Sequence, residues 1–117
     1  MAYHSYADLD VWQRGTELAI RVYEILDGCR DYGLKDKMTR AAVSIPSNIA
    51  EGSARDSKKE FIRYLNIAKG SAAELNTQVY IAHKVHLVSF VEFQKLSDEL
   101  EIISRKAHKL IEYLKGS

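Results

Sequence analysis

The chain has little of what would staple it, anchor it or mark it as an enzyme. It has one cysteine, Cys29, in 117 residues. An internal disulfide is therefore excluded, and a reducing compartment fits. No apolar run approaches the ~20 residues of a membrane span. The start, MAYHSYADLD, has no basic flank leading into an apolar stretch, which argues against a signal peptide. A soluble, cytoplasmic protein is expected. Formal net charge is only +1, so bulk charge names no partner. None of the four histidines (His4, His83, His86, His108) has a glutamate three residues before it. That removes the Glu-x-x-His signature of di-iron bundles. A phosphate-cradling glycine loop and a recognisable serine-nucleophile motif are also missing. His83 and His86 have no acidic or cysteine partner nearby in sequence, so an ordinary helix-end role outweighs a metal site. Cys29 beside Arg30 reads as a bystander rather than a reactive thiol.

What is present is helical periodicity, in a chain whose length suits one domain, residues 1–117. After a polar, aromatic lead-in at 1–7, a first helix is predicted from about Asp8 to Asp27. Its stripe is Leu9, Trp12, Thr16, Ala19, Tyr23 and Leu26, widened by Leu18, Val22 and Ile25. Gly28 and Asp31-Tyr32-Gly33 mark a turn. A second helix is predicted over 34–51 and holds the only proline, Pro46. A proline inside a helix removes a donor and clashes with the preceding turn. The helix either stops at Ser44 and restarts, or runs through with a kink; unbroken apolar phase favours the kink. Gly52 reads as a left-handed stop.

Ser57-Lys58-Lys59-Glu60 is a capping box opening a third helix to about Lys84. Its seam of Phe61, Leu65, Ala68, Ala72, Leu75, Val79 and Ala82 keeps strict three-four spacing, as bundles require. Gly70 lies mid-helix, and a closely approaching backbone would explain it. Ser89-Phe90-Val91-Glu92 opens the last helix, with the seam Phe93, Leu96, Leu100, Ile103, Ala107, Leu110 and Leu114. Four amphipathic helices on short links predict an all-α, antiparallel up-down-up-down four-helix bundle with a proline-kinked second helix.

Two stripes of residues carry a resemblance. Leu9-Asp10-Val11-Trp12-Gln13 and Arg40-Ala41-Ala42-Val43-Ser44-Ile45-Pro46-Ser47-Asn48-Ile49-Ala50-Glu51-Gly52 are the strongest, joined by Phe61, Tyr64-Leu65, Ile67-Ala68, Gly70-Ser71 and Glu74-Leu75. With these the chain resembles the four-helix-bundle family of proteins encoded in intervening sequences of bacterial 23S rRNA genes, over nearly its whole length. It departs at Lys37-Met38-Thr39-Arg40, where relatives often carry glutamine and a basic pair. The resemblance implies an up-down bundle, often a homopentamer. It also implies kinship with the accessory protein of diversity-generating retroelements, which binds nucleic acid and works with a reverse transcriptase. It implies no active site.

Candidate sites follow from side-chain patterning. Arg40, Ser44, Asn48 and Glu51 share one face of the second helix, and Ser71, Glu74 and Gln78 one face of the third. The two faces are read as a hydrogen-bonded layer setting helix register, with a ligand pocket as the alternative. Residues 35–69 carry eight Lys/Arg against four Asp/Glu, and residues 105–115 carry four against one. Arg55, Lys58, Lys59 and Arg63 at the start of the third helix, with Arg105, Lys106 and Lys109 late in the fourth, are the candidate nucleic-acid contacts, able to merge at one end of an antiparallel bundle. A solvated face of ion pairs is the plain alternative. Ile20, Ile62, Ile67, Ile81, Ile102 and Ile111 lie mostly off the seams and suggest self-association. The expectation is a non-enzymatic, cofactor-free bundle that assembles into a ring and contacts RNA or DNA through repeated basic patches, with a protein partner alongside. The alternative is a structural or protein-interaction oligomer with no nucleic-acid contact.

Overall fold

A computed structural model describes residues 6–117 and the side chains of all of these but Asp8; His4 lies outside them. After a 3-10 turn at Tyr6–Asp8 come four helices: α1 (Asp10–Ile25), α2 (Tyr32–Ser53), α3 (Lys58–Lys84) and α4 (Phe90–Gly116). No strand occurs among the described residues. The helices pack as a four-helix bundle 45 × 19 × 19 Å, in the cyclic order α1, α2, α3, α4. Cross-helix pairs show the relative directions. Asp10, Arg14 and Arg21 of α1 meet Lys106, Glu99 and Glu92 of α4. Ser44 and Glu51 of α2 meet Ser71 and Tyr64 of α3. In both pairs residue numbers rise along one helix as they fall along the other.

The caps explain where helices begin. The Ser57 hydroxyl accepts from the Glu60 N–H at 3.1 Å, and Ser89 does the same for Glu92. The glutamate half of each box is engaged elsewhere, Glu60 with Arg63 and Glu92 with Arg21. α2 begins two residues earlier than predicted because Asp31, read as part of the turn, caps it by accepting from the Leu34 N–H at 3.1 Å. Gly28, at φ +80°, takes the left-handed conformation that lets the chain leave α1.

The α3 seam is buried at every predicted position, and Phe61, Leu65, Leu75 and Val79 are fully enclosed. On α4, Ile111 is buried where Leu110 was expected, with Leu110 half-buried beside it. On α1 the predicted Leu18, Ala19, Val22 and Leu26 are buried, joined by Val11 and Gly15, while Tyr23 is half exposed. A Cβ at Gly15 would sit 3.3 Å from Ile45 and 3.5 Å from the Pro46 ring. α1 thus lies directly over the proline. α2 runs continuously through Pro46, which is buried there.

Two glycine expectations are corrected. Gly52 is not a left-handed stop; α2 continues through it to Ser53. A Cβ there would lie 2.6 Å from Tyr64 Cβ and 3.1 Å from Phe61 Cδ1, so α2 and α3 approach closely at Gly52. Gly70, expected to accommodate a neighbour, is exposed with nothing within 4 Å of its would-be Cβ.

Candidate functional site

The α2–α3 seam carries the predicted polar stripes. Ser44 Oγ and Ser71 Oγ lie 2.8 Å apart, and Asn48 Nδ2 donates to the Ser44 carbonyl at 2.8 Å and to its hydroxyl at 2.9 Å. These three residues form a small cross-helix network. The other members of the stripes lie outside it. Arg40 is exposed and pairs with Asp36 on its own helix at 2.9 Å. Glu74 is exposed with no partner among the described residues. Gln78 is buried, and its Oε1 has no donor among them.

One helical turn along the seam, Glu51 accepts from Arg55 at 3.0 Å and from the Tyr64 hydroxyl at 3.1 Å. The guanidinium groups of Arg55 and Arg63 sit over the Tyr64 ring, 5.2 and 4.8 Å from its centre. The Glu51 hydrogen bond, then Tyr64, hold Arg55 still more firmly in its charged form. Tyr64, buried at the centre of this cluster, was not singled out in the sequence as a site residue.

The seven basic candidates divide. Lys58 donates to the Ser117 carbonyl, so the start of α3 does meet the end of α4. Arg63 pairs with Glu60, Arg105 with Glu101 at 2.6 Å, and Lys106 with Asp10 at 2.7 Å. Of the seven, only Lys59 and Lys109 are exposed with no hydrogen-bond or ion-pair partner among the described residues. Lys106 and Lys109 line a shallow groove with Leu9, Asp10, Val11 and Leu110, on the α1–α4 side. In the cyclic order this is opposite the α2–α3 seam that holds Arg55 and Arg63. Lys106 and Lys109 thus lie on a different side of the bundle from Arg55 and Arg63, because the helical phase of α4 turns Lys106 toward α1, while Arg105 pairs along its own helix.

The α1–α4 seam is the thinnest of the four adjacent pairings. Ion pairs bridge it at Arg21–Glu92 (3.1 Å), Arg14–Glu99 (2.9 Å) and Lys106–Asp10 (2.7 Å). The Lys106 hydrogen bond, opposed by burial and helped by the charges of Lys106 and Arg14, holds the Asp10 carboxyl below its usual range. A signal for this row was present: Glu92, Glu99 and Lys106 recur every seven residues.

Little here resembles reactive chemistry. Among the described residues no three His, Cys, Asp or Glu side chains converge as a metal site requires. His83 stacks on Phe93 with ring centres 5.2 Å apart, and His86 lies beyond the end of α3 at φ 67°, so the two do not share a helix face. Cys29 is half-buried in the α1–α2 turn. No described helix is long and apolar enough to cross a membrane.

The sequence profile of the 23S rRNA-intervening sequence protein family matches residues 7–109, most of the chain. The chain belongs to this family. The fold of this chain is similar to that of a solved structure, a protein of unknown function from the S23 ribosomal protein family of Bacteroides thetaiotaomicron. That structure superposes with a TM-score of 0.81 at 22% identity, covering 86% of this chain and 97% of the other. No curated protein matches the chain. The residues of the motif around Pro46 are spent on packing: Ser44 meets Ser71 of α3, Asn48 holds Ser44 from within α2, Pro46 lies under Gly15, and Gly52 lies against Tyr64.

Proposed function

We propose that this protein acts by assembly, as a non-catalytic bundle that associates with copies of itself and serves as a binding scaffold. One observation carries this reading. The core is complete, yet thirteen large apolar side chains among the described residues keep 37–72% of their surface in water. Scattered exposed apolar residues are ordinary, but aromatic and branched side chains in this number on so small a domain favour a covered surface. Light scattering at micromolar concentration tests it: a mass several times that of one chain is expected, and a monomer overturns the reading.

A second reading, contact with nucleic acid, has a narrower basis. Lys59 and Lys109 have no acidic partner, and assembly would repeat them once per subunit. The other five basic candidates already meet protein acceptors, so phosphate would have to displace those contacts. Binding to RNA or DNA that weakens with salt, and that weakens further on charge reversal at Lys58, Lys59 and Arg63, supports this reading. No binding at low salt excludes it.

A further inference from the structure

α3 has a second seam, on its solvent side. Ile67, Gly70, Glu74, Thr77 and Ile81 repeat the three-four spacing of the buried seam, yet all are exposed, the two isoleucines at 39% and 46%. The other charged residue in this stretch, Lys69, meets His108 across the α3–α4 seam at 3.4 Å. Glu74 is thus the one charge on the outer strip, and it has no partner among the described residues. α4 has an outer face of matching pattern and opposite charge. Ile102 is half-buried, Lys109 is exposed and Tyr113 is 66% exposed. Nearby, Arg105 is taken by Glu101 and Lys106 by Asp10, which leaves Lys109 unpaired. Glu112, the next acid along, lies 3.9 Å from Lys115 and 3.8 Å from His108.

We propose that the outer face of α3 in one copy packs against the outer face of α4 in the next, with Glu74 meeting Lys109. The proposal rests on the self-association reading above and names the two surfaces that make the contact. Register and charge select a second copy as occupant. With the helices antiparallel and Glu74 opposite Lys109, seven residues one way bring Ile81 opposite Ile102, and four residues the other way bring Gly70 opposite Tyr113. An apolar pair, an ion pair and an aromatic ring over a glycine then fall on one stripe. Within one chain these faces cannot meet, because α3 and α4 already pack in another register, Tyr80 with Phe93 and Lys69 with His108. The outer face of α1 is a poorer fit. It exposes Ile20 and Tyr23, but Glu17, Glu24 and Asp27 beside them would repel Glu74. The contact joins unlike surfaces, so every added copy presents a fresh face to the next. Because α3 and α4 are neighbours in the cyclic order, the two faces are set at an angle, and repetition curves toward a ring instead of stopping at two copies. Of the seven basic candidates, Lys59 is then the one without a partner in the assembly.

The test follows assembly of the full chain by sedimentation velocity in wild type, Glu74→Lys, Lys109→Glu and the double exchange, with far-ultraviolet circular dichroism to confirm folding. Each single exchange sets like charges together and is expected to raise the dissociation constant about tenfold. The double exchange restores an opposite pair and is expected to return it to within about threefold of wild type. Ile20→Lys, on the outer face of α1, is the control and is expected to change nothing. Independently of charge, Ile81→Cys with Ile102→Cys in a Cys29→Ser background is expected to cross-link on mild oxidation into a ladder that passes the dimer, while either cysteine alone gives none. If the wild type assembles but the single exchanges leave it unchanged, or the double exchange restores nothing, these surfaces are wrong and self-association stands. Cross-linking that stops at dimers, or a loss in Ile20→Lys as large as in Glu74→Lys, likewise overturns the proposal. If the wild type is a monomer, both readings fail.

Discussion

Replacing Gly52 with alanine tests the close approach of α2 and α3. Judged by helix propensity alone, the change stabilises, since glycine in a helix interior costs about 1 kcal/mol relative to alanine. The surroundings reverse that sign. The new Cβ would lie 2.6 Å from Tyr64 Cβ, whereas carbon atoms rest at about 3.5–4.0 Å. Tyr64 Cβ is the first atom of its side chain, so no rotamer change moves it. α2 and α3 must part by about 1 Å, straining the Glu51–Tyr64 and Ser44–Ser71 hydrogen bonds on the same seam. Overpacking of this kind costs typically 1–3 kcal/mol, and an immovable neighbour puts it near the top of that range. After the propensity gain, a net loss of about 2 kcal/mol is expected. The assay is urea unfolding followed by circular dichroism at fixed chain concentration, because assembly would otherwise shift the apparent stability. With a slope of about 1–3 kcal/mol per molar urea, the midpoint should fall by roughly 1 M. Gly70→Ala is the matched control. Its Cβ meets nothing, so it should raise stability by up to about 1 kcal/mol. A Gly52→Ala midpoint at or above wild type, or a Gly70→Ala midpoint that falls as far, would refute the reasoning.

Further expectations follow from the seams and caps. Asn48→Leu removes both hydrogen bonds to Ser44 and should lower unfolding stability by about 1 kcal/mol; an unchanged midpoint and unchanged assembly would mean the polar network sets no register. Ser57→Ala deletes the α3 cap and should cost about 1 kcal/mol by the same measurement, with no change in assembly. Because Asp10 is held below the ordinary carboxyl value of 3.8, its pairing stabilises the fold above that pH and is lost as pH falls through its lowered value. Melting temperature should therefore drop more steeply below about pH 4 in wild type than in Lys106→Met. Parallel curves would show that the Lys106–Asp10 clasp contributes nothing.

Patterns readable along the chain decided the elements. The three-four seams of α3 and α4, the serine caps at Ser57 and Ser89, and the absence of alternating segments sufficed for four helices packed as a bundle, because helix formation and burial of one stripe are set by nearby residues. The motif around Pro46 sufficed for the family. Tertiary packing decided which glycine is a close approach. Gly52 and Gly70 look alike in sequence, and only the placement of Tyr64 against one and open space beside the other separates them. It also decided that Gly15 faces inward over Pro46 and that Lys106 turns toward α1. The same-helix partners of Arg63 and Arg105 are legible from sequence spacing, but the carboxylate that Lys106 finds lies on another helix. That pairing exists only once the helices have taken their places, as the meeting of Lys106 with Asp10 across 96 residues of chain shows.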